Sequence, residues 1–178
     1  MKWFKKLRDI NPDSLAKHAP YLAGLLDGEG TFAIRMINND HLLFFPMIEI
    51  GMSHEKTIEF VADIFGIDRS RKSKREKPHK DMYYIRVTTQ AEIEQIAEAL
   101  RPYSITRQEQ IQLILEFFSL KRTFPGGKYD SKSRAILLKM VDVYIEVRKR
   151  NERGPPPDYE SMRKRLKSKV EKEFEFVK

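Results

Sequence analysis

The chemistry-bearing residues of this chain crowd into one short segment. Leu22-Ala23-Gly24-Leu25-Leu26-Asp27-Gly28-Glu29-Gly30 places two carboxylates, Asp27 and Glu29, at the end of an apolar run, Tyr21 to Leu26, that suits a helix. The carboxyl end of a helix leaves its last carbonyls without internal partners and carries partial negative charge. Two carboxylates added there attract a divalent cation, and a hard cation such as magnesium takes oxygen ligands while keeping several waters. A bound metal lowers the pKa of water and stabilises charge on a transferring phosphoryl group. Ala23 and Gly24 have almost no side chain, so another helix can approach closely there. Two such helices side by side would bring two acidic sites together. Standing alone, Asp-Gly-Glu-Gly is more often a plain turn than a metal site, so the surrounding elements decide between the two.

Those elements can be read from periodicity and punctuation. Asn11-Pro12-Asp13 predicts a helix start, with Asn11 as cap and Pro12 in the first turn. Pro20 predicts a second start, and Gly28 and Gly30 are expected to end the helix in left-handed geometry. Thr31 to Ile37 alternates, with Phe32, Ile34 and Met36 on one side and Thr31, Ala33, Arg35 and Ile37 on the other. Asn38-Asn39-Asp40 is a turn, and Leu42 to Gly51 returns as a second strand in which Pro46 marks a bulge or an unpaired edge position. Glu55 to Phe65 has helical spacing and is closed by Gly66. Ile67 to Arg75 and Met82 to Thr88 suit two further strands. Thr89 with Glu92, and Thr106 with Glu109, form capping boxes for two helices. A helix follows from Ser131 to Arg150, then a stiff Gly154-Pro155-Pro156-Pro157 linker, then a charged helix or tail from about Asp158. The unit is not repeated within the chain.

Composition narrows the class. The 178 residues suit one domain with a sizeable core. Lys and Arg number 34 against 26 Asp and Glu, a formal charge of +8, which favours a polyanionic partner, nucleic acid being the commonest. Cysteine is absent, which excludes disulfides, zinc ribbons and thiol catalysis. No apolar stretch approaches the roughly 20 residues that span a bilayer, and Met1 to Ile10 lacks a signal-peptide core. The expectation is an intracellular protein with no membrane partner and no small-molecule substrate.

The LAGLLDGEG segment, Leu22 to Gly30, resembles the signature motif of the LAGLIDADG homing endonucleases, and the order helix, two strands, helix, two strands, helix matches that family as well. The resemblance covers roughly Pro20 to Leu120. It implies an α+β fold with an αββαββα core and a saddle-shaped antiparallel sheet, here a single domain over 1–178 with its core at about 12–122 and a helical C-terminal extension at about 131–178. It implies a divalent-metal-dependent endodeoxyribonuclease that makes a staggered double-strand break in a long pseudo-palindromic DNA target. By position, Glu29 matches the second acid of the motif, the metal ligand and catalytic carboxylate. Many members have Asp there. The Gly28 carbonyl matches the second protein ligand. Asp27 matches the acid that steadies the helix pair, and Leu22, Ala23, Gly24, Leu26 and Asp27 form the motif face where two subunits meet. Arg107, in Pro102 to Arg107, falls where a Lys often contacts the scissile region. Ser53, or His54 beside it, falls near a polar position that orients water. Magnesium or manganese is the implied cofactor, with calcium binding without supporting cleavage. One motif per chain implies a homodimer on double-stranded DNA.

A two-stranded ribbon fits the DNA major groove and offers one face to base edges. Candidate contacts are Arg35 and Glu49 on the first ribbon. On the second they are Arg69, Arg71, Lys72, Ser73, Lys74 and Arg75, with Tyr84, Arg86 and Thr88 on the last strand. Ile67 to Lys80 holds seven Lys and Arg against Asp68 and Glu76, the pattern either of DNA contact or of a solvated hairpin. The basic stretch Arg163 to Lys169 is open between phosphate contact and a solvated helix. Two rival functions fit the same fold: an RNA maturase that assists intron splicing, and a non-catalytic DNA-binding regulator.

Overall fold

Asn11 opens the first helix as its side chain dictates, with Oδ1 accepting from the backbone N–H of Asp13 at 3.0 Å and of Ser14 at 3.1 Å. The computed structural model describes residues 9–38, 42–67, 71–73, 80–124, 130–152 and 154–175. In chain order these form α1 (Pro12–Glu29), β1 (Gly30–Asn38), β2 (Leu42–Met52), α2 (Glu55–Ile64), β3 (Arg71–Ser73), β4 (Met82–Val87), α3 (Gln90–Leu100), α4 (Gln108–Thr123), α5 (Ser131–Arg150) and α6 (Tyr159–Glu175). The class is α+β, and the first seven elements follow the expected αββαββα order. The four strands make one sheet in the order β1-β2-β4-β3.

Two expectations about α1 are corrected. Pro20 opens no second helix but lies inside a continuous α1. Its missing N–H removes one bond, to the Ala16 carbonyl. Both residues are exposed, so water can take that carbonyl, while buried Leu15, Ala19 and Leu22 hold the turns on either side against the core. Nor do Gly28 and Gly30 take left-handed geometry. Gly28 is the penultimate helical residue, and Gly30 is extended, with φ −96° and ψ 167°. The left-handed helix end belongs to Gly66, at φ 66° after α2. There the Gly66 N–H donates to the Asp63 carbonyl and the Ile67 N–H to the Ala62 carbonyl, the paired closure of a Schellman turn.

The chain divides into two compact units. The first comprises Met1–Thr31 and Met47–Gln108. In it α1 packs on α3 and α2, and α2 packs on β4. Leu22, Ala23 and Leu26 of α1, Ile58 and Val61 of α2, Ile48 and Ile50 of β2, Ile85 of β4 and Ile93 and Ile96 of α3 are at most 1% exposed and form its core. β2 pairs antiparallel with β4 from Ile48↔Val87 to Met52↔Tyr83, and β3 pairs with β4 from Arg71↔Tyr84 to Ser73↔Met82. Pro46 lies outside the β4-paired stretch, so its lack of an N–H interrupts none of those bonds. Thr89 occupies the cap position of α3, but its side chain makes no capping hydrogen bond.

The second unit comprises Phe32–Pro46 and Glu109–Lys178. Phe44 meets Phe117 and Tyr144 at ring-centroid distances of 5.7 and 5.6 Å. Asn151, just past α5, donates from Nδ2 to the Phe32 carbonyl at 2.6 Å. α6 is a helix rather than a loose tail. It buries only Leu166 and Val170 and is tied to α5 by ion pairs from Arg163 to Asp142 and Glu146, and from Lys167 to Asp142. Those two cations of the basic stretch are therefore engaged within the chain.

Candidate active site and nucleic-acid interface

Asp27, in the last turn of α1, holds the segment that leads into α4. Its Oδ1 accepts from Ser104 Oγ at 2.5 Å and from the Arg107 N–H at 3.1 Å. Its Oδ2 accepts from the N–H groups of Ile105 at 2.7 Å and Thr106 at 3.2 Å. The Thr106 hydroxyl returns a bond to the Asp27 carbonyl at 3.1 Å. The Ile105, Thr106 and Arg107 amides precede α4 and have Asp27 as their acceptor. The Thr106 hydroxyl is engaged by the Asp27 carbonyl and not by the capping box expected with Glu109. Burial pushes the Asp27 carboxyl up, but the Ser104 hydroxyl and the three amides outweigh it and hold the group below the usual aspartate value.

Glu29 is placed differently. Its side chain is exposed and has no hydrogen-bond or ion-pair partner among the described residues. Gly28 beside it is also exposed. Because α1 stops at Glu29, no helical N–H stands four residues on to take the Gly28 carbonyl. Each oxygen of Asp27 already accepts two hydrogen bonds, so among the described residues the Glu29 carboxylate and the Gly28 carbonyl are oxygen donors at this helix end without a hydrogen-bond partner. Among the described residues no group of three or more His, Asp or Glu is arranged to hold a metal ion. A hard divalent cation with about six oxygen ligands fits this pair of donors as one part of its shell, with the remainder supplied from outside the chain.

The motif's small residues serve two faces. Leu22, Ala23 and Leu26 are buried in the chain's own first unit, at 0%, 0% and 1% exposure. Gly24 and Gly28 are exposed, and a Cβ built on either meets nothing within 4 Å. At Gly30 a Cβ would stand 2.1 Å from Leu26 Cδ2 and 2.7 Å from Leu26 Cα. This glycine is required by the tight return of the chain against α1, not by its backbone angles.

Arg107 is half-exposed, and its Nε is buried with no hydrogen-bond partner among the described residues. Ser53 is exposed just after β2. His54 occupies the cap position of α2, and its Nδ1 lies 2.8 Å from Thr57 Oγ1. Among the described residues neither Ser53 nor His54 hydrogen-bonds the acidic segment.

The strand register sorts the candidate DNA contacts. Glu49 stands opposite Arg86, Gly51 opposite Tyr84, and Tyr84 opposite Arg71. These positions, with Ser73, share one face of the sheet, and Ile48, Ile50, Tyr83, Ile85 and Val87 turn to the buried face. Arg86 Nε donates to Glu49 Oε2 at 2.7 Å, and its Nη2 bonds the same oxygen. Lys72 shares the Tyr83 face, pairs with Asp81 at 2.9 Å and lies 5.2 Å from the Tyr83 ring centroid. Thr88 is exposed just past β4, and Arg35 is exposed on β1. Arg69, Lys74 and Arg75 lie outside the described residues.

The model of the LAGLIDADG endonuclease family matches residues 22–117, more than half of the chain. The chain belongs to the LAGLIDADG endonuclease family. Solved structures agree on the fold. The archaeal intron-encoded homing endonuclease I-Vdi141I, complexed with DNA, is similar at TM-score 0.67 and 18% identity over 90% of this chain and 98% of that one. I-CvuI, in complex with the I-CreI target and 2 mM Mg with the DNA not cleaved, gives 0.65 and 14% over 90% and 98%. I-SmaMI bound to uncleavable DNA gives 0.58 and 15% over 92% of this chain but only 51% of that one. Comparison with curated proteins gives no match.

Within this LAGLIDADG chain, Ser104, Ile105 and Thr106 are the functional-site partners that sequence reasoning missed. The segment Pro102 to Arg107 stood out as leading into a helix, yet nothing local signals that its acceptor is Asp27. The one hint was the surplus of donors there, a serine and a threonine hydroxyl beside amides that must be capped.

Proposed function

We propose that the chain is a site-specific, divalent-metal-dependent endodeoxyribonuclease that works as a homodimer on double-stranded DNA. One observation carries this: α1 ends in two acids of which Asp27 is fully engaged by the 104–107 segment and Glu29 is exposed and, among the described residues, unpaired. One acid builds the scaffold, and the other is left for an ion. The Gly28 carbonyl and Glu29 would hold a magnesium or manganese ion, which when bound supplies Lewis-acid stabilisation and a more acidic water. Calcium is expected to occupy the same donors without supporting cleavage. I-CvuI structures with DNA carry 2 mM Mg or 2 mM Ca, which supports a divalent ion here.

The chain's own residues divide the remaining work. Arg107 is half-exposed, and its planar guanidinium fork suits a phosphate oxygen. Ser53 is the candidate for orienting water. Gly24 and Gly28 leave an open stripe along α1 where a second copy's α1 can approach, and a symmetric pair brings two Glu29 groups to one duplex. Half-length coverage of I-SmaMI against near-complete coverage of I-CvuI supports a chain that supplies one half of the working unit. Arg35 on one ribbon, and Glu49, Arg71, Ser73, Tyr84, Arg86 and Thr88 at the others, are the proposed DNA contacts. Lys72 lies on the other face and is paired with Asp81, so it joins the DNA contacts only by exchanging that pair for a phosphate.

Incubating the protein with a random double-stranded library in magnesium, and separately in chelator, tests the function. Recovery of discrete sites cut on both strands only with the metal is the expected result. Binding without cutting would favour the regulator, and tight intron RNA binding without DNA cutting would favour the maturase.

A further inference from the structure

The β1–β2 ribbon carries a mixed surface that metal chemistry does not need. On β1, Phe32 and Ile34 are buried, and on β2, Leu42 and Phe44 are buried. The two-residue period therefore turns Arg35, Ile37, Leu43 and Phe45 to the opposite face. There Ile37 is 44% exposed, Leu43 50% and Phe45 47%. Arg35 is exposed among them and has no ion-pair partner among the described residues. β1 is an end strand of the sheet, so this ribbon forms one margin of it.

We infer that Ile37, Leu43 and Phe45 read the 5-methyl groups of thymines in the major groove, with Arg35 supplying the adjoining phosphate or guanine contact. The inference rests on the DNA-cleaving function proposed above and deepens it. Apolar side chains offer no donor or acceptor, and the thymine methyl is the one apolar group on a major-groove base edge. A two-stranded ribbon is the shape that groove admits. Between residues 32 and 46 the described part of this face holds one cation and no acid, and the acid farther along β2, Glu49, is already paired with Arg86, which suits a polyanion. Three half-exposed side chains fall far short of the roughly 800 Å² per partner that a stable protein interface buries.

The test replaces thymine by deoxyuridine, which removes only the methyl, at each position of the site recovered by library selection. Affinities are measured in calcium for the wild type, for Leu43→Ala and for Phe45→Ala. Burying one methyl is worth about fourfold in affinity. The expected result is a loss of about that size at a small set of thymines in each half-site. Leu43→Ala and Phe45→Ala should each abolish the loss at one member of the set. A protein that binds and cuts its site yet treats dU and dT alike throughout overturns the methyl assignment and leaves the nuclease standing. So does a dU loss unchanged in both variants. A change in self-association of the free protein without a change in dU sensitivity would assign the face to a protein contact instead. Absence of any DNA affinity removes both proposals.

Discussion

Ser104 Oγ lies 2.5 Å from Asp27 Oδ1, and around that contact three backbone amides close on the same carboxylate. The acid at the end of α1 thereby fixes the approach to α4. A hydrogen bond to a charged group is worth about 1.5–3 kcal/mol, and an orphaned buried donor costs a similar amount. Asp27→Asn keeps the volume but turns an NH2 toward N–H donors. It should lower stability by about 2–3 kcal/mol in a denaturant melt, with Ser104→Ala losing about half as much.

The same network makes stability depend on pH. Asp27 is held below its unfolded value, so its contribution is fully present above about pH 4 and is lost as pH falls through the lower folded value. Denaturant melts from pH 7 to pH 2.5 should show the gap between wild type and Asp27→Asn narrowing only below about pH 4. A gap independent of pH would mean that the charge of Asp27 is not what the amides recognise.

The three motif glycines should separate by mechanism. Gly30→Ala drives a Cβ into Leu26 and should destabilise by about 1–3 kcal/mol. Gly24→Ala, in an exposed helical position with open space, should be neutral or gain up to about 1 kcal/mol from helix propensity. Gly24→Leu should leave the melting temperature of the monomer intact and abolish self-association in sedimentation. An undiminished dimer in Gly24→Leu would place the subunit contact elsewhere.

Affinity for the selected DNA site should fall steeply with salt, because each neutralised phosphate releases counterions. Titrations between 50 and 200 mM salt should lose on the order of 10³-fold or more if several phosphates are contacted. A flat response would contradict a DNA partner for a chain of net charge +8.

Much of this arrangement was written locally. The alternation of Phe32, Ile34 and Arg35, the cap at Asn11 and the apolar spacing of Ile58, Val61 and Phe65 each follow from one element's own periodicity, and the elements formed where expected. What local pattern could not carry was choice among distant partners. Pro20 looked like a helix start because the packing of Leu15, Ala19 and Leu22 that spans it is tertiary. Gly30 looked like a left-handed cap because its true constraint, Leu26 folded against it, is a distance and not a dihedral. Thr106 looked like a helix cap because nothing in its neighbourhood announces Asp27. At the acidic segment, types and spacing singled out two carboxylates, but only the fold distinguishes the bound Asp27 from Glu29, which has no partner among the described residues.

That distinction is tested most directly by Glu29→Gln on a DNA duplex bearing the selected site, with binding and cutting measured in the same magnesium buffer. The shorter route to charge removal leaves size and helix intact. The predicted outcome is affinity within a few-fold of wild type with no strand scission, while the melting temperature is unchanged. Cleavage by Glu29→Gln at the normal rate would contradict the assignment of this carboxylate to the reaction.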